Sequence, residues 1–400
     1  MISIGDSYIS YTNIACRNMT YIFLIAAFNA FFFSVLFFQK KPRALHDKIL
    51  FFWLVYLGIY TGIYALYSDQ LFTDFPLLSA GFISLLMLHG PFLYIYINSL
   101  VSETNRFNRK HLLHFMPFIL FNLYLLIASF IPEVSEGITL DHVESEHNSP
   151  LLFLIFLVLT AISGPVYFVV STRLFKKMDI NIFNNFSYYE NINLDWLRKL
   201  VYVYGFVWTL LMVIASIHHV LHLFSWIFCT HGITLSLSVF IILIGYYGLK
   251  QKEIFSYPDK ELFIIEQKSK KYAGSGLKEQ DAIVYLEKLT NYMAAEKPYL
   301  NPDLNLPELA ENLDIPSYLL SQVINEYLGS NFFDFVNRHR VEDIKAKITD
   351  PQYNNYSILG IAFESGFNSK SAFNRVFKKI SGTTPSEYKK AALVNMKKFQ

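Results

Sequence analysis

The sequence predicts an all-α chain: a polytopic bundle of transmembrane helices, then a cytoplasmic all-α domain with two helix-turn-helix motifs joined by a long helix. Three observations predict it. The 400 residues are 53% hydrophobic and 17% aromatic with mean hydropathy +0.31. That excess lies before residue 250, and the remainder is charged in the ordinary way. Seven long apolar segments fill the first part, each near the ~20 residues that a spanning helix needs. One pattern then occurs twice near the C-terminus, which marks an internal repeat.

Residues 1–19 form a short polar segment without a charged region followed by a short apolar core, so a cleaved signal peptide is not expected. The apolar segments fall at about 20–38, 49–66, 77–100, 115–131, 150–172, 200–221 and 225–249, and together define a sensor-like membrane domain over 20–249. A single such segment is equally a buried core helix; seven in succession are not. Lys40, Lys41, Arg43 and Lys48 follow the first segment, Arg106, Arg109 and Lys110 the third, and Arg173, Lys176, Lys177, Arg198 and Lys199 flank the connection after the fifth. The opposite connections, 67–76 and 132–149, hold no Lys or Arg and carry Asp69, Asp74, Glu133, Glu136, Asp141, Glu144 and Glu146. The positive-inside rule then puts the N-terminus outside and the C-terminal part in the cytoplasm of a cell bounded by this inner membrane.

No Asp, Glu, Lys or Arg interrupts the segments before their ends, which argues against an ion-coupled transporter. Gly90-Pro91 and Gly164-Pro165 are each expected to break the local hydrogen-bond ladder, opening either a ligand cavity or a packing irregularity. His218, His219 and His222 end the sixth segment, and His231 begins the seventh with Cys229. His218 and His222 share a helix face, so with His231 they are weak candidates for a metal or pH site, against plain interfacial histidines. No metal-ligand spacing supports them, and no cofactor is expected. Cys16 and Cys229 both fall on the oxidising side, and their pairing is left open.

Residues 250–280 read as a juxtamembrane linker ending in Ala273-Gly274-Ser275-Gly276. A helix is expected from Asp281, with Ile283, Leu286, Leu289 and Met293 on its apolar face. The first repeat, 306–328, reads LPELAENLDIPSYLLSQVINEYL, and the second, 356–380, reads YSILGIAFESGFNSKSAFNRVFKKI. Laying Leu320, Ser321, Gln322 and Val323 on Phe373, Asn374, Arg375 and Val376 also brings Gly329 onto Gly382 and Phe335 onto Tyr388. In the second repeat Ala362 is the small residue at a close helix crossing and Gly366 supplies the turn's positive φ. Asn368 or Ser369 caps the next helix, which buries Phe373, Val376, Phe377 and Ile380. Its opposite face offers Ser371, Arg375 and Lys378, with Lys370 and Asn374 at the flanks. In the first repeat Ala310 and Asp314 take the crossing and turn positions, Leu320, Val323, Ile324 and Tyr327 point inward, and Tyr318, Gln322 and Asn325 point outward with Ser321 beside them. A helix over 332–348 joins the repeats. A basic tail closes the chain: from Lys370 to Gln400 there are eight Lys or Arg against one acid, Glu387.

The paired motifs, the linking helix and the terminal TTPSEY resemble the DNA-binding domain of the AraC/XylS family of transcription regulators, over about Asp281 to Lys390. The resemblance implies a DNA-binding domain over 281–392, followed by the tail at 393–400. In that family two recognition helices enter successive major grooves. Carried over by position, Tyr318, Ser321 and Gln322 would face bases from the first helix, and Lys370, Ser371, Ala372 and Arg375 from the second. The partners it implies are double-stranded DNA and, more distantly, RNA polymerase and a second copy of the chain as a homodimer. Membrane lipid follows from the apolar segments, and the signal itself stays unknown.

The expected function is thus a bacterial membrane-bound, sequence-specific transcription regulator that couples a signal to transcription. The alternative is a polytopic receptor or transporter whose helical tail, two amphipathic hairpins, packs against a protein partner. No Gly-rich phosphate loop or nucleophile elbow is present, so no enzyme is expected.

Overall fold

The computed structural model describes residues 4–101, 107–138, 150–189, 192, 194–221, 226–250 and 277–398. Among them every regular element is helical, apart from one isolated antiparallel bridge between Phe186 and Asn305. The chain divides into two compact units. One comprises Met1–Phe175 with Asp195–Phe255, the other Lys176–Leu194 with Ser256–Gln400.

The first unit contains α1 (Ile4–Gln39), α2 (Leu45–Asp74), α3 (Pro76–Ser84), α4 (His89–Val101), α5 (Met116–Ala128), the short α6 (Pro132–Ser135), most of α7 (Leu151–Asn185), α8 (Asp195–Leu221) and α9 (Trp226–Lys250). Among the described residues seven helical stretches are long and apolar enough to cross a membrane, at Met19–Gln39, Leu45–Tyr67, Pro76–Val101, Arg109–Ala128, Leu151–Asn185, Asp195–Ile217 and Thr230–Lys250. These overlap the seven expected segments, although the fourth begins at Arg109, ahead of 115, and the fifth runs on to Asn185, past 172. Helix α1 packs on α2 and α9, α8 on α9, and α2 on α4. The centre is aromatic: Trp53 is 1% exposed and stacks on Phe92 at 6.1 Å, with Phe240 at 5.2 Å. The outer faces are apolar as well, with Phe28 69%, Phe206 67% and Leu151 73% exposed.

The two proline sites behave differently. Before Gly90-Pro91 the third span gives way to a 3-10 turn, Leu85–Leu88, as expected for a lost ladder bond. The carbonyl of Met87, which Pro91 cannot satisfy, accepts from the Ser163 hydroxyl at 3.4 Å. Pro165, against expectation, lies inside an unbroken α7. The adjoining Gly164 leaves room for the Trp208 indole, which a Cβ there would overlap.

The second unit contains α10 (Glu279–Ala295), α11 (Leu306–Asn312), α12 (Ser317–Gln322), α13 (Phe332–Thr349), α14 (Ile358–Glu364), α15 (Lys370–Ser381) and α16 (Pro385–Lys398). Side-chain caps start most of them: Asn305 accepts from the Glu308 N–H at 3.0 Å, Asn331 from Asp334 at 2.8 Å, Ser357 from Gly360 at 3.0 Å and Ser369 from Ala372 at 3.1 Å. Thr384 and Glu387 exchange bonds as a capping box for α16. These bonds hold the Glu387 carboxyl below the usual carboxylate range. Helix α13 builds two cores at once. Phe332, Phe335 and Val336 join Leu309, Leu320 and Ile324 on one side; Phe333, Val341, Ile344 and Ile348 join Ile361, Phe373, Val376 and Phe377 on the other. On α10 only part of the expected face is buried: Leu289 and Met293 are inside with Ala282, but Ile283 is 55% exposed. The helix turns its packing face one position earlier than the spacing suggested.

Candidate nucleic-acid interface

Both turns are built from the residues that the repeat singles out, and both close with the same bond. The Ile315 N–H donates to Ala310 O at 3.0 Å, and the Phe367 N–H to Ala362 O at 3.1 Å. Ala310 is 1% exposed and Ala362 is fully buried, as close crossings need. Asp314 has φ +50° and Gly366 φ +92°. A Cβ on Gly366 would overlap the Tyr299 carbonyl oxygen and crowd the Arg340 guanidinium, so glycine alone fits there.

The second helix of the second repeat, α15, presents its residues as the sequence predicts. Phe373, Val376 and Phe377 are buried, while Lys370, Ser371, Asn374, Arg375 and Lys378 are exposed. Ala372, implied as base-facing by resemblance, is only 8% exposed and packs into the core. Lys379, on the same helix, is engaged with Asp334 at 2.7 Å. Among the described residues no ion pair involves Arg375; its guanidinium instead lies over the Tyr189 ring, 5.4 Å from the centroid. A cation held against a ring face gains from the ring quadrupole and gives up that gain when it leaves.

The first repeat departs from expectation. Tyr318 is 48% exposed, but Ser321 is 2% and Gln322 6% exposed, and Asn325 is half-buried with its amide donating to Ser321 O at 2.8 Å. Gln322 Nε2 donates to Glu326 at 2.9 Å, and its buried Oε1 has no partner among the described residues. Tyr327, expected inside, is 42% exposed. The cause is local. Helix α12 runs straight into a π turn, Val323–Tyr327, where the Leu328 N–H donates to Val323 O, so the 3.6-residue wheel loses its phase. Residues 317–327 therefore expose Tyr318, Glu326 and Tyr327 in place of the expected set.

The outer histidines do not come together as a described site. His218 and His222 have side chains outside the described residues, as does Cys16, and the side chain of Cys229 is likewise outside them. His231 packs edge-on against Phe23 at 5.5 Å, and its Nδ1 lies 2.7 Å from the Tyr64 hydroxyl.

Sequence reasoning missed the residues that lock the domain. Arg340, 1% exposed on α13, donates to Tyr299 O at 2.7 Å, Asn301 O at 2.7 Å, Ser187 O at 3.0 Å and Ser187 Oγ at 3.0 Å. Burial lowers its guanidinium pKa to about 9, opposed by the charge of Asp303, and leaves it protonated at neutral pH. The signal was available: Val336, Arg340 and Ile344 are spaced four apart, which places a cation on an otherwise buried stripe.

The comparisons bear on this domain. The family model of a helix-turn-helix domain matches residues 309–391. An uncharacterized HTH-type transcriptional regulator of Staphylococcus aureus (strain COL) is 35% identical over 91 residues, 23% of this chain and 12% of that protein. A counterpart in strain N315 has the same identity and coverage. The regulatory protein PocR of Salmonella typhimurium is 29% identical over 104 residues, 26% of this chain and 32% of PocR. The chain thus spans 12% of the length of the staphylococcal relatives it matches. No solved structure matches it. Residues 309–391 form a helix-turn-helix domain of the kind that HTH-type transcriptional regulators carry.

Proposed function

We propose that the chain is a membrane-embedded, sequence-specific transcription regulator. Its seven apolar helices hold it in the cytoplasmic membrane with the N-terminus outside, and its twin helix-turn-helix domain reads duplex DNA on the cytoplasmic side. The observation that carries this is α15: a buried aromatic face against the domain core and, opposite, Lys370, Ser371, Asn374, Arg375 and Lys378 in the open. That combination gives phosphate attraction and a planar donor for a guanine edge on one rigid element. The positive-inside pattern of the connections supports the orientation, and the HTH-type relatives support the domain's role. Cooperation with RNA polymerase and action as a homodimer are part of the same reading. A signal arriving in or across the membrane alters DNA binding.

The test is binding of duplex DNA by the full chain in lipid nanodiscs. Affinity should fall steeply with salt, by about 0.9 log unit per log unit of salt for each phosphate contacted. Absence of duplex binding, with capture of a protein by the same domain, would replace this reading by that of a receptor with a partner-binding tail.

A further inference from the structure

Helix α7 is continuous from the first unit into the second, and its end does not stay apart from the DNA-reading domain. Ile182 is fully buried and Phe186 is 1% exposed. Phe183 meets Phe333 of α13 edge-on at 5.2 Å, and Phe186 pairs with Asn305 at the start of α11. Ser187, 1% exposed, sits between the two repeats. Its N–H and hydroxyl both donate to Leu304 O, at 3.1 and 2.6 Å, and its carbonyl accepts from Asn337 and Arg340 at 3.0 Å each. Two residues on, Tyr189 underlies Arg375. Tyr189 is positioned from its own segment: its ring stacks on Phe183 at 5.3 Å, and its hydroxyl donates to Asp179 at 3.1 Å.

We infer that residues 182–189 are an autoinhibitory clasp, docked in the groove between the two helix-turn-helix motifs, which occupies Arg375 and withholds it from DNA. The inference rests on the reading of α15 as a recognition helix. Three features make the clasp releasable. On its own side Ser187 offers only a neutral hydroxyl and backbone groups to Leu304, Asn337 and Arg340, groups whose place water can take. Arg340 keeps Tyr299 O and Asn301 O when Ser187 leaves, so α13 stays tied to the first repeat. Tyr189, Phe183 and Asp179 are linked to one another, so the segment moves as one piece and carries the ring off Arg375. Because α7 also runs through the first unit, a displacement of that helix is a displacement of the clasp. Apparent DNA affinity is then the intrinsic affinity reduced by the fraction of molecules unclasped.

The experiment uses the full chain in nanodiscs and a fixed duplex chosen by selection from a random-sequence library. Tyr189→Ala should tighten binding about two- to fivefold, the scale of one exposed Arg–aromatic contact. In an Arg375→Ala background the same substitution should give no gain. Equal affinity of Tyr189→Ala and the unaltered chain, or weaker binding by the variant, overturns the clasp while leaving DNA reading intact. No binding by either chain removes both. Hydrogen exchange on the unaltered chain is independent of any folding defect: DNA should deprotect the amide of Ser187, and unchanged or greater protection there overturns the proposal.

Discussion

Arg375 owes its place to two requirements that one helix satisfies: it stands opposite Phe373, which is 2% exposed in the core, and it follows a capped first turn that aims α15 outward. Its planar fork can donate twice to one guanine, whereas lysine offers a point charge. Arg375→Lys should therefore leave affinity for random duplex unchanged and lower preference for the selected site by about 1 to 3 kcal/mol, read as the ratio of the two affinities. An unchanged ratio would take Arg375 out of base reading. His339 gives a second prediction. It stacks on Tyr299 at 5.6 Å, and burial, with the neighbouring Arg338 charge, lowers its pKa below the ordinary histidine value. The unfolded chain then binds the proton more tightly than the folded one. The stability that His339 contributes is fully present above about pH 6.5 and is lost as pH falls through its lower folded value. His339→Asn should flatten this acid-side loss in thermal unfolding of the C-terminal unit. An identical pH profile in the variant would contradict the assignment.

At the scale of elements, the two repeats share a design and differ in what they expose. The turn residues were legible from sequence because the backbone leaves little choice: Asp314 and Gly366 both adopt positive φ, and few residue types do. The face of α15 was legible too, since twelve residues of regular helix keep the 3.6-residue period. On α12 the same arithmetic failed, because six helical residues lead into a π turn and burial of Gln322 depends on tertiary packing that no local pattern encodes. Gln322→Met should accordingly be neutral or stabilising by up to about 1 kcal/mol, since it removes a buried oxygen without a partner. Lys378→Ala should weaken binding to every duplex and reduce the salt slope by about one unit. Loss of site preference on replacing Gln322 would return α12 to the reading surface. The segment around Ser187 was illegible for another reason. Its partners Leu304, Asn337 and Arg340 lie more than a hundred residues away, and its own sequence reads as a loop between two apolar segments.

The whole molecule joins an apolar helical unit to a helix-turn-helix unit, and the sequence carries both the seven apolar segments and the charge bias from which the proposed orientation follows. That orientation is testable without the fold: a reporter active only in the cytoplasm should work when fused after Lys252 and fail when fused within 134–147. The reverse pattern would put the recognition helices on the side without DNA. The central claim, that one membrane-held chain reads specific DNA through α15, is tested most directly by mapping crosslinked genomic sites for the intact chain and for Arg375→Ala, with both confirmed in the membrane fraction. The account predicts a discrete set of sites for the intact chain that collapses to background in the variant. Sites that persist unchanged in Arg375→Ala, or no sites above background for the intact chain, would contradict it.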